Sequence, residues 1–250
     1  MKIPPDINRK VGEAVVNYRM IEANDRIMVG LSGGKDSFVL AHTLYELQKK
    51  APVKFELVCA TFDPGFPDFG AEIIRDYAEK QGWEFHSVKL DIAPIIAEKN
   101  FEDAPCALCS RLRRGHLYTL MDKLNCSKLA LGHHADDAII SFVMSYFRGH
   151  GLTTMGPNVP ALGKKRLIRP LIFVPEAKIA RFAAECAFPI CGKCRYKKYL
   201  DVSGDRVFFR KILSEIEQKI PDFRSLALKS MGKIEKNYLF DKKFIDFLQS

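Results

Sequence analysis

Ser32-Gly33-Gly34-Lys35-Asp36-Ser37 concentrates more chemistry than any other stretch of this chain. Two glycines let a backbone close on an anion, Lys35 brings a point charge, and Ser32 and Ser37 bring hydroxyls. The stretch lies between two apolar runs, Ile27-Met28-Val29-Gly30-Leu31 and Phe38-Val39-Leu40-Ala41. The first run reads as a buried strand and the second as the start of a helix. A glycine loop at such a junction suits phosphate, because the helix start offers unpaired N–H groups and the positive end of its dipole. Asp36 fits an anion site only if a Mg²⁺ ion rides with the phosphates. The order of residues matches neither the Walker A loop nor the dinucleotide fingerprint. A lone Gly-Gly is usually a serine-capped turn; six residues in this order favour a nucleotide.

Two further clusters carry chemistry. Gly132-His133-His134-Ala135-Asp136-Asp137 sets paired carboxylates at an expected helix start, where they suit Mg²⁺ binding or positioning of a base. Ordinary N-capping is their plainer use. The seven cysteines include two C-x-x-C pairs, Cys106/Cys109 and Cys191/Cys194. Cys59, Cys126 and Cys186 adjoin apolar stretches and read as small buried hydrophobes. An odd count without a secretion signal argues against a disulfide framework. Structural zinc ribbons space their pairs roughly 15–20 residues apart, far closer than here. Spacing alone leaves Zn, an iron–sulfur cluster and redox thiols open, and suggests two strand-end loops joined by the fold.

The elements that must position these residues alternate. A leading helix over 7–22 precedes strand 26–31, loop 32–37 and helix 38–50. Strand 54–62, the breaker-rich loop Asp63–Asp68, helix 69–81 and strand 83–90 follow. Then come helix 107–124, strand 127–131, helix 135–148, a Gly/Pro/Lys-rich loop over 149–165, an extended piece at 168–171 and a helix from Pro175 to about 186. The pattern predicts an α/β fold with a doubly wound parallel sheet, whose ligands sit beyond the strands' carboxyl ends. Three amphipathic stretches (205–219, 222–231, 236–248) predict a small helical tail. The expected divisions are an N-terminal helix (1–24), a catalytic domain (25–200) and a basic tail (201–250).

Net charge is +9, and residues 191–250 carry 14 Lys/Arg against 8 Asp/Glu. A basic face attracts polyanions, although a solvated lysine-rich surface gives the same count. No apolar run approaches the ~20 residues of a membrane span, and the N-terminus has no secretory h-region. A cytoplasmic protein without membrane association is expected.

The Ser32–Ser37 loop resembles the SGGxDS loop of the PP-loop ATP pyrophosphatases. The string Cys106-Ala-Leu-Cys109-Ser-Arg-Leu-Arg113-Arg114 resembles the tRNA 2-thiocytidine synthetase (tRNA-cytidine sulfurtransferase) branch of that superfamily. Asp63-Pro-Gly-Phe-Pro67, Leu131–Asp137 and Ile168-Arg-Pro-Leu171 agree in order, over roughly residues 10–195. The resemblance implies ATP-dependent adenylation of the C2 carbonyl of a cytidine in a tRNA anticodon loop, after which sulfur displaces AMP. It implies phosphate and adenine contacts from Ser32, Gly33, Gly34, Lys35, Asp36, Ser37, Phe62, Gly132 and His133, with Asp36 at Mg²⁺. Catalytic roles fall on Asp136, Asp137, Cys109 and Arg113. It further implies a [4Fe–4S] cluster on Cys106, Cys109 and a third cysteine, Cys194 by its Cys-Arg-Tyr context or Cys191 as the alternative. Sulfide, or persulfide from a cysteine desulfurase, would be the donor, and this family tends to form homodimers. The segment Phe188–Tyr196 departs from the family pattern, which keeps two rivals in play. These are a thiolase for another RNA base or small molecule, and a non-catalytic ATP-binding protein with structural Zn.

Overall fold

Three consecutive residues of the strand β1 (Arg26–Gly30), Ile27, Met28 and Val29, are wholly buried. A strand buried on both faces is what the centre of a parallel sheet requires. Successive side chains point to opposite faces, so Ile27 and Val29 join one core and Met28 another. The computed structural model describes residues 1–66, 68–98, 105–189, 191, 204–235 and 238–241. Its strands β1, β2 (Glu56–Asp63), β3 (Phe85–Lys89), β4 (Lys128–Ala130), β5 (Asn158–Pro160) and β6 (Arg166–Ile168) form one sheet in the order β3-β2-β1-β4-β6-β5. All pairings are parallel except β5 with β6. Val29 stands beside Cys59 on one side and Ala130 on the other. The carboxyl ends of β1 and β4 are therefore level, and the loops after them leave the sheet side by side, while β2 runs on past Ala60 to Asp63.

One face is covered by α1 (Pro5–Asn17), α2 (Lys35–Gln48), α3 (Ala71–Lys80) and α7 (Glu176–Glu185), whose Ile7, Phe38, Ile74 and Ile179 share a core with Ile27 and Val29. The other is covered by α5 (Pro105–Lys123), whose Leu117 and Met121 pack on Met28, Val58 and Leu129. In α1, Ile7, Val11 and Ala14 recur at helical spacing and are buried. The helix stops short of the expected Glu22 because Arg19 adopts a left-handed φ of 46°.

The structure departs from the expected arrangement at five further places. Residues 158–160, assigned to a loop, form the antiparallel edge strand β5; three residues ending in Pro160 carry no alternation to betray a strand. The expected strand at 168–171 lies earlier, at Arg166–Ile168, since Pro170 lacks the N–H that continued pairing needs. A short helix, α4 (Ala93–Glu98), precedes α5. Cys106 and Cys109 lie not in a strand-end loop but in the opening turns of α5. Cys186, expected in the core, is only half-buried, beyond the last turn of α7.

The basic tail begins with α8 (Asp205–Lys219) and α9 (Phe223–Met231); its third expected helix lies outside the described residues. Leu213 of α8 is buried against Ile139 and Ile140 of α6 (Ala135–Phe147), with Ile216, Phe223, Leu228 and Met231 around them. Leu213→Ala removes the centre of this contact and is expected to cost about 2–5 kcal/mol. The urea midpoint of the full chain measures it.

Candidate active site

Gly34 precedes α2 in an extended conformation, so the first N–H groups of that helix face out of the sheet's carboxyl edge. The loop is braced from within. Ser37 Oγ donates to the Gly34 carbonyl at 2.8 Å, and the Ser32 N–H donates to Ser37 Oγ at 3.2 Å. Gly33 has φ of 78°, and a Cβ there would lie 2.8 Å from Cys191 Cβ and 3.2 Å from Ile74 Cδ1. Both conditions exclude other residues at this position. They also put Cys191 on the loop itself, its thiol pushed up in pKa first by burial and then by Glu72.

Gly132, after β4, meets the same helix start. A Cβ on it would come within 3.0 Å of the backbone carbon and oxygen of Asp36 and 3.2 Å of the Ser37 nitrogen. This contact joins the two acidic motifs of the sequence into one site. Gly132→Ala is expected to displace the first turn of α2, at a cost of about 1–3 kcal/mol. Nucleotide affinity should fall with it, as read by thermal melting with and without Mg·ATP.

Lys35 Nζ lies 3.0 Å from Asp36 Oδ1 and 3.1 Å from Glu176 Oε1. Burial opposes the lysine's charge, but the Asp36 and Glu176 carboxylates beside it outweigh this and raise its pKa. The Asp36 contact is an ion pair without hydrogen-bond alignment, so Asp36 Oδ1 is buried and makes no hydrogen bond. A buried carboxylate oxygen left this way fits a Mg²⁺ ligand.

Asp136 and Asp137 occupy the first turn of α6 as expected, with different surroundings. Asp137 Oδ2 accepts the His134 backbone N–H at 3.2 Å and lies 3.4 Å from His134 Nε2. Asp136 accepts the Glu176 N–H at 2.7 Å on Oδ2 and an Arg224 N–H on Oδ1. Both Asp136 oxygens thus hold protein together. His134, almost wholly buried, keeps Nδ1 without a hydrogen bond, 3.8 Å from Asp136 Oδ2.

His133 Nδ1 accepts a hydrogen bond from Arg169 Nε at 3.3 Å. A guanidinium only donates, so the ring proton sits on Nε2. Burial first, then Arg169, Arg206 and Arg113, push the His133 pKa down to about 4 against the opposing pull of Asp137. A base so depressed refuses a proton that the unfolded chain accepts. Its penalty to folding is absent above pH 6.5 and grows as pH falls toward 4. The His133 ring resonances in the full-length protein should therefore stay those of neutral imidazole from pH 8 to pH 5; a midpoint near 6.5 would contradict the assignment.

Phe62, one residue before the end of β2, is buried beneath α5, its ring 6.0 Å from that of His116, in an apolar cluster with Ile92, Ile96 and Leu108. Cys109 borders the same cluster. Arg113 is exposed on α5, and its charge reaches His133. The Cys106 side chain and Cys194 lie outside the described residues, and among the described residues no three His, Cys, Asp or Glu side chains converge as a metal site. Thiols at Cys109 and Cys191 on either side of the β1–β2 edge are a donor chemistry suited to Zn or iron–sulfur. Arg169, Glu176 and Arg224 were not legible as site residues; Arg169 at least stands in the motif Ile168–Leu171 and Glu176 at the helix start marked by Pro175, whereas nothing near Arg224 marks it.

A phosphate-type loop at a strand-to-helix turn, with an acidic motif across the switch between β1 and β4, defines a nucleotide site of the PP-loop class. The model of the PP-loop domain family matches residues 4–188. Relatives narrow this. A tRNA-cytidine(32) 2-sulfurtransferase of Geobacter sulfurreducens is 40% identical over 94% of this chain and 92% of its own. A tRNA-cytidine(32) 2-sulfurtransferase 1 of Francisella tularensis is 37% identical over 99% and 92%. The chain belongs to the tRNA-cytidine(32) 2-sulfurtransferase family of PP-loop enzymes. Its fold also matches the U34-tRNA thiolase NcsA of Methanococcus maripaludis, solved with its [4Fe–4S] cluster, at TM-score 0.71 and 23% identity over 92% of this chain and 79% of that one. Among the described residues no helix is long and apolar enough to cross a membrane.

Proposed function

We propose that this chain is an ATP-dependent tRNA thiolase that converts a cytidine of the anticodon loop to 2-thiocytidine. The observation that carries the reading is the backbone contact of Gly132 with the start of α2, which brings His133 and Asp137 beside the phosphate loop. The N–H groups of Gly33 and Gly34, the hydroxyls of Ser32 and Ser37 and the Lys35 ammonium hold the β and γ phosphates of ATP. The carbonyl oxygen on C2 of the cytosine attacks the α-phosphorus, the bond to the β-phosphate oxygen breaks, and pyrophosphate leaves into that cradle. Preorganised donors then stabilise charge where it develops. Asp36, with its buried oxygen, would be a ligand for Mg²⁺, which would supply charge neutralisation for the phosphates. Asp137, oriented by the His134 N–H, would serve the same ion or the base, while Asp136 fixes the helix that carries them. His133 offers a neutral Nε2–H to phosphate or base oxygen.

AMP is then the leaving group on C2. Sulfide adds to that carbon, the C–O bond to AMP breaks and the sulfur gives up its proton; a persulfide from a cysteine desulfurase would serve as donor once a thiol reductant has released its outer sulfur as sulfide. A [4Fe–4S] cluster on Cys106, Cys109 and Cys194 would supply a thiophilic metal site for that sulfur. The packing of Cys191 on Gly33 supports Cys194 over Cys191 as third ligand, since Cys191 already serves the loop. Arg113 and the exposed Arg206 and Arg210 set a positive field around the opening that suits an RNA backbone.

Nucleoside analysis of tRNA from a strain lacking the gene is expected to show loss of 2-thiocytidine. Wild-type chain restores it and Asp137→Ala does not. Anaerobically purified protein should be brown with an iron–sulfur absorption band, lost in Cys109→Ser and kept in Cys191→Ala. A colourless protein holding one tight Zn, with 2-thiocytidine unchanged, would favour the non-catalytic rival.

A further inference from the structure

The loop's lysine is linked to the far end of the described chain by an unbroken set of polar contacts. Arg224, on α9, donates from Nε to Glu217 of α8 at 2.8 Å and from Nη1 to Asp136 Oδ1. Asp136 Oδ2 accepts the N–H of Glu176, the first residue of α7, at 2.7 Å. The Glu176 carboxylate reaches Lys35 Nζ, and Lys35 reaches Asp36. Asp136 is nearly inaccessible to water, so each of its oxygens needs a protein donor. Without Arg224, one oxygen of a buried carboxylate would be left unpaired. The side chain would turn away to recover a donor and release the α7 N-terminus.

Glu176 has a separate effect on the loop. Lys35 lies within 3.1 Å of both carboxylates, and Asp36 is the one with a buried oxygen that makes no hydrogen bond. Were Glu176 absent, Asp36 would hold the lysine alone. The ammonium would then offset the Asp36 charge that a Mg²⁺ ion needs, and it would be drawn off the phosphate path. Sharing the lysine between two carboxylates keeps both groups available. Glu176 also gains from the arrangement: burial raises its pKa, but Lys35, then His134 and Arg210, outweigh this and hold it below the usual carboxylate range.

We propose that Arg224, acting through Asp136 and the N-terminus of α7, positions Glu176 against Lys35, so that the C-terminal helices α8 and α9 are part of the nucleotide site. Arg224 and Glu176 are positioning residues; neither touches the reacting atoms. The inference rests on the reading of residues 32–37 as an ATP loop. Its consequence is that whatever occupies the basic tail bears on the grip for Mg·ATP. A polyanion drawing Arg224 off Asp136 would loosen it, and one that seats the tail more firmly on α6 would tighten it.

Equilibrium binding of Mg·ATP to the full chain, measured without RNA, tests this. Glu176→Gln and Arg224→Ala are each expected to raise Kd roughly tenfold, equivalent to about 1.4 kcal/mol. Arg224→Lys should recover most of the loss. The double variant should bind no more weakly than the poorer single one, because both act on one linkage. A purely structural role for Arg224 would lower the melting temperature and leave Kd unchanged well below it, and that result overturns the proposal. Additive losses in the double variant also overturn it. Should Arg224→Ala fail to fold, Glu176→Gln together with Arg224→Lys carries the test, and an unchanged Kd in Glu176→Gln is again decisive against it. Wild-type chain that does not bind Mg·ATP would instead refute the ATP reading itself.

Discussion

The site depends on how closely two stretches of backbone approach each other. Gly132 lies against the Asp36–Ser37 peptide with no room for a methyl group between them. Adjacent strands bring the two loops near, since β1 and β4 are hydrogen-bonded neighbours in level register. The absence of a side chain at Gly132 takes them the last distance. From β1 the chain winds outward through β2 and β3, and β4 takes the opposite side, so the contact lies at the point where the winding reverses. That crevice is where open α/β sheets bind ligands, and here both of its walls are helix starts. Two helix dipoles then face one small volume, although the Ala135 N–H that opens α6 is already held by the Val174 carbonyl.

Charge in that volume is arranged so that cations and anions alternate. Asp36, Lys35 and Glu176 form a line of minus, plus, minus, and Asp136 with Arg224 makes a separate minus–plus pair that meets this line through the uncharged Glu176 N–H. His133 stays neutral beside Arg169, which spares the site another positive charge next to Asp137. Such alternation is weak on an exposed surface. It carries more weight here because several of the groups are shielded from water.

Local sequence carried the loop, the central strands, the leading helix and the acidic helix start, because each is encoded within about ten residues. Residues 32–37 hold the turn, the hydroxyls and the lysine together, and residues 27–29 are apolar without a break. The partnerships across the chain were not legible. Lys35 and Glu176 are 141 positions apart and Asp136 and Arg224 are 88, and nothing in the residue types near either end specifies the other. The edge strand β5 was missed for a related reason: its pairing with β6 comes from the sheet's need for a neighbour, and its own three residues have no strand pattern. The wide separation of the two cysteine pairs suggested strand-end loops, yet Pro105 opens α5 and the first pair lies in its opening turns, proline being well placed at the start of a helix.

The Asp136–Arg224 contact also has a meaning in time. A ribosome adding about 5–20 residues per second needs roughly four to eighteen seconds to pass from one of these residues to the other. Once residue 168 is made, the sheet, the phosphate loop and α6 have all been synthesised, while the helices that cover Ile139 and Ile140 begin only at residue 205. A growing chain therefore has an exposed apolar stripe on α6 and a carboxylate still open to water at the mouth of its nucleotide crevice. Both are covered by the same late-made helices, which makes the burial of α6 and the completion of the crevice a single event in the life of each molecule.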